Sequence, residues 1–250
     1  MRFLSDLLAC LRFYSRLPVP VLKWEAEPYA MLDFAHSIRA LPIAGLIIAT
    51  PAAALLYGTA KILPPEIAAG LALALFVRVT GAFHEDGLAD VADGFGGGQT
   101  RESRLEIMSD SRIGTYGMLA LLLSGLARWA ALTALIPTAP LWPVLIAAGA
   151  LSRAPMAVMM ALMPNARQGG LSASTGRPSR PRAALACLIA VAIALALGAA
   201  WPLLIAATLP ALALAALAWA RIKGQTGDIL GAAQHLADTA LLITASALLS

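Results

Sequence analysis

Residues 66–93 read EIAAGLALALFVRVTGAFHEDGLADVAD. An apolar run of nearly twenty residues passes directly into four carboxylates, Glu85, Asp86, Asp90 and Asp93, placed within nine positions. A helix of about 20 apolar residues crosses a hydrocarbon core of roughly 30 Å, so the acids stand where such a helix would leave the membrane. Further apolar runs occur at 38–60, 114–136, 141–163, 183–201, 203–220 and 229–249. With 66–83 they make seven candidate spans.

The composition agrees. The chain is 60% hydrophobic and 13% charged, with a mean hydropathy of +0.78, whereas an ordinary soluble domain carries about one quarter charged residues. The expected fold is therefore all-α: a polytopic integral membrane helix bundle with about seven transmembrane helices. At the N-terminus, Leu4, Leu7, Leu8 and Leu11 recur at helical spacing while Asp6, Arg12 and Arg16 interrupt the run. That pattern fits an amphipathic helix at the membrane surface, within an interfacial segment 1–36, better than a cleaved signal peptide. No linker or fixed-period repeat divides the chain, so residues 1–250 are expected to form one integral membrane domain. Cys10 and Cys187 are far apart in apolar surroundings and read as small buried hydrophobes.

The net charge of +4 and pI near 9.4 do not require nucleic acid, because the basic residues follow the spans. Arg2, Arg12, Arg16 and Lys23 precede the first span; Arg101, Arg104 and Arg112 lie between the second and third. Arg167, Arg177, Arg180 and Arg182 lie between the fourth and fifth, and Arg221 and Lys223 between the sixth and seventh. The intervening connections carry only Lys61. By the positive-inside rule the N-terminus and the polar loops 84–113, 164–182 and 221–228 share the cytoplasmic side. Membrane lipid with anionic headgroups is the expected partner of Arg177, Arg180 and Arg182.

Seven of the 14 acidic residues fall in 84–113. Asp86, Asp90 and Asp93 are spaced i, i+4, i+7 and share one helical face. Unit charges about 5.5 Å apart repel by roughly 3 kcal/mol at an effective dielectric of 20, and a divalent cation such as Mg2+ or Mn2+ would offset this. His84 is a candidate ligand or general base. The run Gly94, Gly96, Gly97, Gly98 is read as a flexible helix terminus rather than a phosphate cradle. Asp110 and Arg112 either pair with each other or Arg112 neutralises a phosphate; Arg101 and Arg104 read as solvated charges. Asp228, Gly231, His235 and Asp238 form a stripe down the last span. An ionised Asp at mid-bilayer costs at least about 2.5–3.5 kcal/mol, so that stripe must face the bundle interior. Arg167 is the better candidate for a substrate phosphate, while Arg39, Arg78, Arg128 and Arg153 are expected to snorkel or pair with acids.

Four patches carry a resemblance. His84-Glu85-Asp86-Gly87-Leu88-Ala89-Asp90-Val91-Ala92-Asp93-Gly94, then Asp110-Ser111-Arg112-Ile113-Gly114-Thr115-Tyr116-Gly117, then Thr226-Gly227-Asp228-Ile229-Leu230-Gly231-Ala232 resemble the adenosylcobinamide-GDP ribazoletransferase (cobalamin synthase) family. Phe13-Tyr14-Ser15-Arg16-Leu17-Pro18-Val19-Pro20 and Ala166-Arg167 with Gly170-Leu171 add to it. The resemblance implies a Mg2+-dependent enzyme of the bacterial inner membrane, and the spans and basic loops make it multi-pass with its polar loops on the cytoplasmic face. In that reaction a ribose hydroxyl of alpha-ribazole, or of its 5'-phosphate, attacks the cobinamide-side phosphorus of adenosylcobinamide-GDP and GMP leaves. Carried over, Glu85, Asp86, Asp90 and Asp93 would surround Mg2+, with Asp228 a further ligand or base and His84 a possible base. Arg112, Arg167, Asp110 and His235 would contact substrate. Asp90-Val91-Ala92-Asp93-Gly94 also resembles part of the CDP-alcohol phosphotransferase signature, but the following Ala-Arg and later paired Asp residues are missing. Membrane prenyltransferases, which also use aspartate-rich metal sites on helices, are a more distant alternative. An ion transporter would need charges at mid-bilayer in several spans. The sequence leaves an oligomer open.

Overall fold

The computed structural model describes residues 2–25, 33–138, 140–167, 169 and 175–249. These are helical almost throughout, in the order α1 (Arg2–Tyr14), α2 (Phe34–Ser37), a 3-10 turn (Ile38–Ala40), α3 (Leu41–Thr59), α4 (Pro65–Thr80) and α5 (Phe83–Gly97). Then come α6 (Arg101–Ile107), α7 (Thr115–Leu135), α8 (Leu141–Leu151), α9 (Ala154–Leu162), α10 (Arg180–Ala196), α11 (Trp201–Ile222) and α12 (Gly227–Leu249). Among the described residues the only β feature is an isolated bridge between Asn165 and Gln225.

The structure is the expected all-α membrane bundle. Among the described residues five helical stretches are long and apolar enough to cross a membrane: Phe34–Thr59, Thr115–Leu135, Leu141–Leu162, Trp201–Ile222 and Gly227–Leu249. A sixth exists if α4 and α5, bent by 88° to each other, count together. The bend has a local cause. Gly81 (φ +66°) and Ala82 (φ +59°) are both left-handed, so two successive residues turn the chain out of α4. The expected span at 183–201 is a helix of 17 residues, α10, shorter than the five.

The bundle is built around α12, which packs against α5, α7, α8, α9 and α11. Small residues let backbones touch: a Cβ on Gly45 of α3 would lie 2.1 Å from the carbonyl oxygen of Gly149 of α8, so neither position has room for a side chain. The outer helices α7 and α11 expose Leu119, Leu122, Leu123, Leu209 and Leu212, the apolar surface that lipid would cover. Helix α1 is amphipathic as expected, but its Leu8, Cys10, Leu11 and Tyr14 are buried and Asp6 pairs with Arg39 at 2.9 Å, docking it on the bundle. Phe3 and Leu4 remain exposed.

Arginines close the helix ends. Arg177 donates to the Ala161 carbonyl of α9 at 2.8 Å, and Arg182 donates to the Ala35 carbonyl. The last carbonyls of a helix lack intrahelical partners, so these side chains hold loops to the bundle as well as carrying charge.

Candidate functional site

Helix α5 presents Asp86 and Asp90 one turn apart, and the residue between their turns decides what they face. A Cβ on Gly87 would lie 2.7 Å from the carbonyl oxygen of Asp228, so α5 and the first turn of α12 meet backbone to backbone. Gly87, which has no side chain, is what allows this approach. Thr226 holds Asp228 in place, its hydroxyl donating to Oδ2 at 3.1 Å. A short two-stranded contact adds the third piece. The N–H of Ala166 donates to the Gln225 carbonyl and that of Gln225 to the Pro164 carbonyl, each at 2.8 Å. Arg167 is thereby set with Nη2 3.9 Å from Asp228 Oδ2 and donating to the Leu105 carbonyl of α6 at 2.7 Å. Acids from α5, an acid from α12 and an arginine from the 164–167 loop thus lie on one side of the α5–α12 contact.

This layer carries excess negative charge. Asp90 lies on α5, outside the five spans; partial burial, then Asp86, Asp228 and Asp93, push its carboxyl up to about 7 against the opposing pull of Arg167. Beside it opens a cavity of about 390 Å³, lined by Glu85, Asp86 and Asp90, by Met108 to Ile113, and by Leu121 of α7. Asp110 and Arg112 sit on the far wall and pair with each other, Arg112 Nη2 donating to Asp110 Oδ2 at 2.5 Å. That bond holds the Asp110 carboxyl down to about 2. The Arg112 side chain is 87% exposed, so it stands at the rim of the cavity.

A second polar layer lies beneath, and it is compensated. Arg128 of α7 donates to Glu85 Oε1 at 3.2 Å and to Asp238 Oδ2 at 2.8 Å, with its guanidinium over the Phe76 ring. His235 Nδ1 lies 3.5 Å from the same Glu85 oxygen. Glu85, expected at the metal, is therefore an ion-pair partner, although it also borders the cavity. His235, expected to touch substrate, is 3% exposed and does not line the cavity. Nor does His84, the expected base, which is buried with its ring parallel to that of Tyr14 at 6.0 Å. The reason is rotational. Two residues before Asp86 means about 200° around the helix, which turns His84 toward the aromatic cluster of Phe13, Tyr14 and Phe83.

Asp93 also departs from expectation. Its Oδ2 accepts from the Gly114 N–H at 2.7 Å and its Oδ1 from the Gly117 N–H at 2.9 Å, capping the free donors at the start of α7. Gly114 and Gly117 have no side chains to obstruct it. The glycine run is helical through Gly97 rather than a loose terminus, and a Cβ on Gly94 or Gly96 would strike Met108 or the Tyr116 ring. Arg101, read from sequence as solvated, donates to the Ile222 and Ala166 carbonyls at 3.0 and 2.6 Å and so buttresses the loop that carries Arg167. Only its position in a basic loop marked it. Arg128 was legible as an intramembrane cation, but its partners were not. Gly170 and Leu171 lie outside the described residues.

The family model described as Cobalamin-5-phosphate synthase matches residues 6–246. An adenosylcobinamide-GDP ribazoletransferase of Bradyrhizobium diazoefficiens is 45% identical over 249 residues, covering 98% of this chain and 94% of the relative. Those of Azorhizobium caulinodans and Mesorhizobium japonicum are each 43% identical, covering 97% and 100% of this chain and 95% of each relative. No solved structure matches significantly.

Proposed function

The chain belongs to the cobalamin-5-phosphate synthase family, and from that premise we propose how it acts: it joins alpha-ribazole to adenosylcobinamide-GDP with the upper acidic layer as its reaction centre. A ribose hydroxyl of alpha-ribazole or of its 5'-phosphate forms a new O–P bond at the cobinamide-side phosphorus. The bond from that phosphorus to the bridging oxygen breaks, and GMP departs with that oxygen. Two anionic partners must be held together for this, so negative charge has to be neutralised at the reacting centre.

The single observation that carries the reading is the meeting of Asp86 and Asp90 with Asp228 and Arg167 across the Gly87 contact. Asp86 and Asp90 would hold Mg2+. Among the described residues no three carboxylate or imidazole groups close a cage around one point, so the remaining positions of an ion held by Asp86 and Asp90 would be filled by water and substrate phosphate. Bound there, it would supply charge neutralisation on the phosphate oxygens. Arg167 binds a phosphate oxygen of the donor through its planar fork. Asp228, partly exposed at the mouth of α12, takes the proton of the attacking hydroxyl. The centre faces the cytoplasm of the bacterial inner membrane with the N-terminus on the same side, as the distribution of basic loops supports.

The test is GMP release by purified protein in detergent with Mg2+, adenosylcobinamide-GDP and alpha-ribazole. Turnover is expected for the unaltered chain, and a loss on the order of 10²–10³-fold or more for Asp86→Asn, Asp90→Asn and Asp228→Asn, the scale of removing one preorganised transition-state contact. Near-normal rates in all three variants would refute the assignment.

A further inference from the structure

Two substrates of very different size must reach one centre. Resting on the function proposed above, we infer that the cavity beside α5 is the acceptor subsite: it seats a flat aromatic nucleoside, the base against Met108, Ile113 and Leu121 and the ribose toward Asp86 and Asp90.

The lining is two-faced. Carboxylates of α5 form one side, and the facing wall sets Met108, Ile113 and Leu121 beside the polar run Ser109 to Arg112. Pockets for drug-sized ligands span about 300–1,000 Å³ and pair apolar walls with a few polar groups. At about 390 Å³ the cavity admits a bicyclic base with its ribose, but not a corrin ring bearing a nucleotide. Charge separates the substrates in the same sense. A diphosphate needs free cations, and the only cation in the lining, Arg112, spends its Nε and Nη2 on Asp110. Arg167 lies outside the lining, on the Asp228 side. The donor's phosphates therefore arrive over Asp228 and Arg167, the acceptor comes from the cavity, and Asp86 and Asp90 stand between them. The aromatic base is thus recognised by loop 108–113 and α7, elements that the metal and the donor do not use.

Leu121→Phe fills the apolar end of the cavity without altering an acid. Steady-state GMP release with each substrate varied in turn is expected to show KM for alpha-ribazole raised by roughly tenfold or more, with KM for adenosylcobinamide-GDP unchanged. The penalty should be smaller for a benzimidazole riboside lacking the two ring methyl groups. Should Leu121→Phe not fold, Leu121→Ala tests the same wall: it should raise KM for alpha-ribazole and not that for the donor. A rise in KM for the donor alone, or no shift in either, would overturn the subsite. Absence of GMP release by the unaltered chain would instead remove the function on which it rests.

Discussion

The same two helices, α5 and α12, supply both polar layers, and the layers differ in whether their charges are answered. In the lower one, Glu85 and Asp238 share Arg128, with distances of 3.2 and 2.8 Å, and side-chain exposures of 12%, 7% and 5% respectively. In the upper one, among the described residues, Asp86, Asp90 and Asp228 share Arg167, at 3.9 Å from Asp228. Acids paired inside a bundle fix the height and rotation of the helices that carry them. Acids left in excess at a cavity retain affinity for a cation that arrives with substrate. Three turns of α12, about 15 Å at 1.5 Å per residue, separate the two roles, Asp238 from Asp228.

The strongest way to break this contrast is to remove the shared cation. Arg128→Leu leaves buried Asp238 without its ion-pair partner and Glu85 with His235 alone, and should destabilise the protein by about 3–5 kcal/mol, read as thermal unfolding in detergent. Neutralising both acids as well, as Arg128→Leu with Glu85→Gln and Asp238→Asn, should recover most of that loss, because no ionised carboxylate is left without Arg128. A triple variant as unstable as Arg128→Leu alone would mean that packing rather than pairing holds the layer.

A smaller effect sharpens the contrast from the other side. Asp90 has a folded pKa of about 7 against an ordinary value of 3.8. Below the ordinary value both states are protonated and Asp90 contributes nothing to the pH dependence. Between about 4 and about 7 the unfolded chain has lost the proton that the folded one keeps, so Asp90 makes stability fall as pH rises. In EDTA, Asp90→Asn should flatten this part of the profile, and Mg2+ should oppose the fall in the unaltered chain. An identical profile for Asp90→Asn would place the charge excess elsewhere.

Much of this was legible in the chain. Hydropathy located the helices, and the i, i+4 spacing put Asp86 and Asp90 on one face. The need to bury His235 and Asp238 turned that stripe of α12 inward, with Asp228 partly exposed at its mouth. What the sequence did not disclose was distance between segments. Asp93 keeps the same helical face as Asp86 and Asp90, yet two turns further on it meets the glycines at the start of α7 and caps them. Glu85 differs from Asp86 by one position, which turns it to Arg128. The bend between α4 and α5 was equally hidden, because Ala82 is not a residue that announces a left-handed conformation.

Binding of Mn2+, followed by its paramagnetic resonance signal in purified protein, tests the division most directly. The free-ion signal should show a site in the unaltered chain, in Glu85→Gln and in Asp93→Asn, and should show it lost in Asp86→Asn and Asp90→Asn. Loss in Glu85→Gln or Asp93→Asn to the same extent, or full retention in Asp90→Asn, would contradict the separation of the paired acids from the cation-binding ones.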